Sequence, residues 1–297
     1  MLIGSALDAF LASLVSIAFH GLAYGMILYA ISVGLSITMG LMGFVNLAHG
    51  VFAMAGGYLM FTAMTTFGLP WLPALAVACV VVALGSMVLE RLLYSRLYGA
   101  GELEQVLFTI GLIFVAVALA RLAYGPLPLA APLPEWMKGQ TEVAGRSFPT
   151  YRVVVIAASA VLITILWIGL ERTRWGAMVR AAVDNRAMAQ SIGINTGRLF
   201  TLTFALGSGL AALGGALGAD LIAISPTYPF EQLVYFLIVV AVGGLGTLRG
   251  PFFGALLIGV GDTACKYWVP EFGAFFIFVA TIVLLLWRPQ GLLGRAA

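Results

Sequence analysis

Charge is what this sequence has least of. Only 9% of its 297 residues are Asp, Glu, Lys or Arg, where soluble domains carry about 25%. Fifteen basic and twelve acidic side chains are too few to hydrate a chain of this size, which excludes a water-soluble globule and a large appended soluble domain. The net charge of +3 is too small to imply nucleic acid or another polyanion as a partner. Cysteine and histidine occur twice each. Cys79 and Cys265 both lie in apolar runs, which points to buried, inert thiols and not to a disulfide framework or a metal pair. No lysine follows a glycine, since Lys138 follows Met137 and Lys266 follows Cys265. The phosphate-cradling G-x-x-x-x-G-K-[ST] loop is therefore excluded. An intramembrane enzyme would need a nucleophile–base or metal set, and these residues supply neither. No catalytic residue, metal or cofactor is expected. No basic residue precedes the first apolar stretch, so a cleavable secretory signal is not expected either.

Apolar residues fill the space that charge leaves: 62% of the chain is hydrophobic, with a mean hydropathy of +1.07. Apolar runs extend over 47–67, 71–93, 106–124, 153–170, 200–224, 233–248, 252–269 and 275–287. A longer one, 7–42, exceeds what one straight helix needs and is dotted with Gly21, Gly25, Gly34 and Gly40. At about 20 residues per crossing, this predicts an all-α polytopic membrane protein of eight to ten membrane segments, with 7–42 broken. Arg91, Arg96, Arg172, Arg174, Arg180, Arg186, Arg198, Arg249, Arg288 and Arg295 fall in alternate connections or at the chain's end. The positive-inside rule assigns these to the cytoplasm, together with the C-terminus. The long Pro-rich connection 125–152 is placed outside, and the side of the N-terminus is left open. Asp220, Glu231, Asp262 and Glu271 sit at run ends, which disfavours a proton relay at mid-depth. Energy for pumping would have to come from another polypeptide.

Glycine is abundant, at 36 residues. Two clusters, Gly34 to Gly57 and Gly243 to Gly254, are interrupted by Asn46, His49, Arg249 and Pro251. Single glycines serve close helix packing, whereas the clusters read as broken or re-entrant helices beside a cavity. Gly40–Gly43 and Gly244–Gly246 would then mark corresponding points of a two-half internal repeat. Asn46 and His49 allow two readings. Asn46 caps a helix starting near Leu47 while His49 bonds a neighbouring carbonyl, or both line a pathway with Gly43, Gly50, Gly244 and Gly246.

The most informative stretch is 172–198. Trp175, Met178, Val179, Ala182, Met188, Ala189 and Ile192 recur near helical spacing, with Arg180, Asp184 and Arg186 offset. Asp184-Asn185 invites a break into two short helices, and Gly193 is placed as a C′ residue. Such a segment either lies on lipid phosphates or is pushed into a groove on a cytoplasmic partner; its length favours the second.

Met178-Val-Arg-Ala-Ala-Val-Asp-Asn-Arg-Ala-Met-Ala-Gln-Ser-Ile-Gly-Ile-Asn195 closely resembles the cytoplasmic loop of permease subunits of ATP-binding cassette (ABC) importers for branched-chain amino acids. Gly43-Phe-Val-Asn-Leu-Ala-His-Gly50 and Gly243-Gly-Leu-Gly-Thr-Leu-Arg-Gly-Pro-Phe-Phe-Gly254 are similar to two further stretches of that family, in the same order. The chain looks like the first of the two permeases such systems contain. The resemblance implies a single permease domain over 1–297 in a bacterial inner membrane, with 172–198 as its coupling segment. Trp175, Met178, Arg180, Asp184, Arg186, Ile192, Gly193 and Asn195 would engage the motor. Implied partners are two ABC ATPase subunits, a second permease, a periplasmic solute-binding protein and membrane lipid. Val51 stands where many members carry an acidic residue, so no substrate role is transferred there. Related permeases carry urea or short amides, and a passive channel for a small neutral solute is the remaining alternative.

Overall fold

A computed structural model describes residues 2–143, 145–244, 246 and 248–293. Leu245 and Thr247 of the second glycine cluster, and Arg295, lie outside the described residues. The helices are α1 (Leu2–Met42), α2 (His49–Thr65), α3 (Trp71–Leu92), α4 (Glu102–Tyr124), α5 (Thr150–Arg172), α6 (Arg174–Asp184), α7 (Arg186–Ser191), α8 (Thr196–Gly218), α9 (Tyr228–Gly243), α10 (Arg249–Trp268) and α11 (Gly273–Trp287). Among the described residues five are long and apolar enough to cross a bilayer: α1 over Phe10–Gly40, α3, α4, α5 and α8. The shorter apolar α9 and α11 accompany them, and the chain is a multi-pass membrane protein. The all-α architecture read from the sequence holds, and the Pro-rich connection before α5 adds one small non-helical feature. It holds an antiparallel ribbon of β1 (Gln140–Val143) and β2 (Arg146–Pro149), with Gln140 opposite Pro149.

The expected break within 7–42 does not occur, for α1 is continuous. Its glycines are contact points: a Cβ on Gly21 would strike Val260, on Gly25 Ala255, on Gly34 Gly207 and on Gly40 Gly246. In lipid, where no hydrophobic force drives helices together, such backbone approach is a main source of packing energy. The stretch Phe10–Gly40 is about 46 Å long at 1.5 Å per residue, against about 30 Å of hydrocarbon. It reaches the whole depth of the protein.

Around α1 the helices form an interior and a shell. In an 18-residue apolar stretch of α8, 78% of residues are buried, against 22% in the corresponding stretches of α3, α4 and α5; α8 packs on α1, α2 and α3. Gly56 and Gly215 let α2 and α8 meet backbone to backbone, at Ala212 and Ala53 respectively. The shell turns Leu84, Leu119, Leu122 and Ile165 outward, surface suited to lipid and not to water.

The molecule has two ends. At the hairpin end Arg146 Nη1 donates to the Ala12 carbonyl of α1 (2.7 Å). At the arginine-rich end, α6 lies against α1 with α7 beside it, and the Gly246 N–H donates to the Ser36 carbonyl (3.2 Å). The beginning of α1 therefore shares a side with the hairpin. Asp262, predicted at a run end, instead lies inside α10 and is 2% exposed.

Candidate coupling site and central break

Three polar residues shape the arginine-rich end. Thr173 Oγ1 accepts from the Gly176 N–H (3.1 Å) and starts α6. Asn185 Oδ1 accepts from the Met188 N–H (2.9 Å) and starts α7. Asn195 Oδ1 accepts from the Arg198 N–H (3.0 Å) and starts α8. Each supplies one acceptor to the orphan amides of a first turn. The break at Asp184-Asn185 thus lies where the sequence puts it. So does the C′ glycine: Gly193 has φ +90°. The Ile194 N–H reaches the Ala189 carbonyl (3.0 Å) and the Gly193 N–H reaches Gln190 (3.0 Å), a complete Schellman closure. The corner between α5 and α6 is tight, because Gly176 is buried against the Leu170 backbone. Arg180 donates back to the Leu170 carbonyl.

The apolar residues of this segment divide. Val179, Ala182 and Ala189 are buried against the protein, with Trp175 partly so, whereas Met178, Met188 and Ile192 face outward. Met188 is 63% and Ile192 69% exposed. Arg180 and Asp184 line a cavity of about 380 Å³ together with Ile37, Glu171, Gly246 and Arg249. Arg249 bonds Glu171 (2.8 Å) and lies over the Trp167 ring, 5.4 Å from its centroid.

The break between α1 and α2 is held by side chains that no local pattern signals. Gln105 Oε1 accepts from the Val45 N–H (3.2 Å), while its Nε2 donates to the carbonyls of Leu97 and Ala100. Asn46 does not cap α2, whose N-cap position is Ala48 and lacks a side-chain bond. Asn46 Oδ1 accepts instead from the Tyr94 hydroxyl (3.2 Å), and its buried Nδ2 has no partner among the described residues. His49 bonds the Ile31 carbonyl (3.0 Å), and Gly50 abuts Pro229 at the start of α9. Asn46, His49 and Gly50 are thus brought together. Gly43 (φ +60°) opens the break. Gly244 and Gly246 do not join them. They lie at the arginine-rich end, where Gly246 touches Gly40.

Aromatic rings connect the two places. The Arg186 guanidinium lies 4.6 Å from the Phe200 ring centroid. Phe200 meets Tyr98 edge-on at 5.7 Å, Tyr98 meets Phe44 at 6.0 Å, and Phe44 meets Tyr94 at 5.4 Å. Tyr94 then reaches Asn46. Glu90, absent from the sequence reading, anchors this row. It is 2% exposed, with one oxygen accepting from the Tyr98 hydroxyl and the other from Thr201 Oγ1 (2.7 Å). The only sequence signal would have been a carboxylate four residues before Tyr94 and eight before Tyr98 in an apolar context.

A glycine-knit helical interior, an uncharged break between α1 and α2 and a capped, outward-facing corner are the features of a membrane permease subunit. The chain belongs to the family described as "Branched-chain amino acid transport system / permease component", whose model matches residues 17–287. It is similar to the high-affinity branched-chain amino acid transport system permease protein LivH of Escherichia coli (strain K12), 28% identical over 290 residues, covering 93% of this chain and 94% of that one. BraD of Pseudomonas aeruginosa, a permease protein of the same description, is 27% identical over 289 residues, 93% and 94% of the two chains. LivM of Escherichia coli (strain K12), also so described, is 23% identical over 291 residues, 90% of this chain and 68% of that one.

Proposed function

We propose that this chain is the membrane-spanning permease subunit of an ABC importer for branched-chain amino acids, with ATP hydrolysed by separate subunits. The observation that carries this reading is the α6–α7 corner, whose outward apolar residues Met178, Met188 and Ile192 suit a groove on a partner. Family membership and the relatives' substrate point the same way. In this reading 1–297 is one permease domain and 172–198 its coupling segment. The arginine-rich end faces the cytoplasm of a bacterial inner membrane, together with the C-terminus, and the hairpin end faces the side where a solute-binding protein delivers the substrate. Likeness to both LivH and LivM favours a second, homologous permease as neighbour. Closure of two ATPase subunits pushes α7. The row Arg186–Phe200–Tyr98–Phe44–Tyr94–Asn46 is an unbroken set of contacts along which that push reaches the central break. Asn46, His49 and Gly50 border the translocation pathway there.

The test is uptake of labelled leucine, urea and short amides by cells lacking and carrying the chain. Leucine uptake that needs ATP, and ATPase subunits that co-purify with the wild type but not with Gly193→Asp, are expected. Uptake into ATP-free vesicles would make the protein a channel, and uptake of urea alone would replace the substrate.

A further inference from the structure

We infer that the hairpin end of this chain carries its own binding site for the zwitterionic head of an α-amino acid, with Asp262 as the acceptor for the ammonium group. The inference rests on the amino-acid reading proposed above and assigns residues to it. A cavity of about 370 Å³ opens between α1, the start of α5, the connection after α8, α9 and α10, within the 300–1,000 Å³ range of small-molecule sites. Its polar lining includes His20, Arg152, Gln232, Asp262 and Lys266. Opposite charges thus meet in a chain that otherwise has few.

Asp262 is the decisive group. It is 2% exposed and lies inside α10. Its Oδ2 accepts from Lys266 Nζ (2.7 Å), but its buried Oδ1 has no hydrogen-bond partner among the described residues. Gln232 Oε1, on α9, is likewise buried and without a partner. Buried acceptors are nearly always satisfied, and an ionisable residue buried among membrane-spanning helices is by default a functional one. Asp262 and Gln232 both line the cavity, and each holds a buried oxygen without a partner among the described residues; such a pair matches a donor with several hydrogens, and an ammonium carries three. Across the cavity Arg152 donates to His20 Nδ1, and a guanidinium has five donors in all. Its remaining N–H groups, with Lys266 Nζ, suit a carboxylate. Thr263 also lines the cavity, and Leu221, Ile222, Tyr24 and Tyr235 offer apolar surface there to an aliphatic side chain. The site lies on the face at which the substrate is delivered, and it would select the head group after the binding protein lets go.

The assembled importer in lipid nanodiscs, without its solute-binding protein, would be examined by saturation-transfer NMR. The probes are leucine, 4-methylpentanoate (no ammonium) and 3-methylbutylamine (no carboxylate). Leucine should give a signal that either analogue displaces at least tenfold less well than unlabelled valine does. Asp262→Asn should weaken leucine binding at least tenfold, Arg152→Gln similarly, and Asp262→Glu should retain most of it. Should Asp262→Asn fail to assemble on gel filtration, Gln232→Leu carries the test, with about a fivefold loss expected. No signal from the unsubstituted complex, equal displacement by 4-methylpentanoate, or binding indifferent to these substitutions would overturn the site. Leucine uptake by cells, run in parallel, reports on the reading beneath it. Normal uptake with indifferent binding removes the site alone, whereas absent uptake in the unsubstituted importer removes the amino-acid reading.

Discussion

Two buried carboxylates at opposite ends of this protein have opposite surroundings. Glu90, near the end of α3, has a hydroxyl donor on each oxygen, and those donors come from Tyr98 beside it and Thr201 on α8. Asp262, inside α10, has one oxygen on a half-exposed lysine and the other buried without a partner among the described residues, in a side chain that lines a cavity. Where burial makes an unpaired acceptor costly, a saturated acid ties helices together, and a half-saturated one waits for a donor. Glu90 is therefore assigned to architecture and to the path beneath α7, and Asp262 to ligand.

The largest effect should come from emptying the saturated site. Glu90→Ala strands the Tyr98 hydroxyl, removes one of the two acceptors of Thr201 Oγ1, and leaves a gap between α3 and α8. At about 1–3 kcal/mol per stranded buried group, the loss should total roughly 2–4 kcal/mol. Chemical denaturation of the purified protein in detergent would read it, with Glu90→Gln recovering about half because one acceptor oxygen survives. An unchanged denaturation midpoint in Glu90→Ala would erase the contrast between the two acids.

An intermediate effect is expected where the path begins. Gly193 has φ +90° with open space where a Cβ would stand, so Gly193→Ala meets strain and no clash. The left-handed backbone costs roughly 1–2 kcal/mol for an L-residue, which should loosen the Schellman closure of α7. Affinity for the ATPase subunits, measured by titration, should fall about tenfold, each tenfold being about 1.4 kcal/mol. Gly193→Asn, which tolerates this conformation, should restore most of it. Weakened ATPase binding that Asn does not rescue would shift the cause from backbone to side chain.

Much of the coupling corner is legible because its signals are local. A capping Asn, a Gly just past a six-residue helix and apolar positions at helical spacing act within one or two turns, so the breaks at Asn185 and Gly193 lie where the pattern puts them. The glycines of α1 mislead because a kink and a backbone contact call for the same residue. Only the partners Ala255, Val260, Gly207 and Gly246, far along the chain, tell them apart. Asn46 has the side chain of a cap and finds Tyr94, 48 residues on. Glu90 passes unnoticed because its second donor, Thr201, is 111 residues away. Asp262 reads as the end of an apolar run, since hydropathy counts residues and cannot see that α1 and α9 extend beside it.

The smallest effect should be the stability change in Asp262→Asn. An amide keeps the shape of the carboxylate and can present its oxygen to Lys266, and that lysine side chain is 54% exposed and can be hydrated. A solvated partner makes an ion pair worth little, about 0–1 kcal/mol, and the bare oxygen had no bond to lose. Denaturation of Asp262→Asn should therefore match the unsubstituted protein to within about 1 kcal/mol, even as leucine binding collapses. Stability and binding that fall together would make Asp262 a second Glu90, a structural acid whose donor is water or lipid in the cavity. A fall in binding alone separates the two acids by what they hold: one holds its own fold, the other a passing amino group.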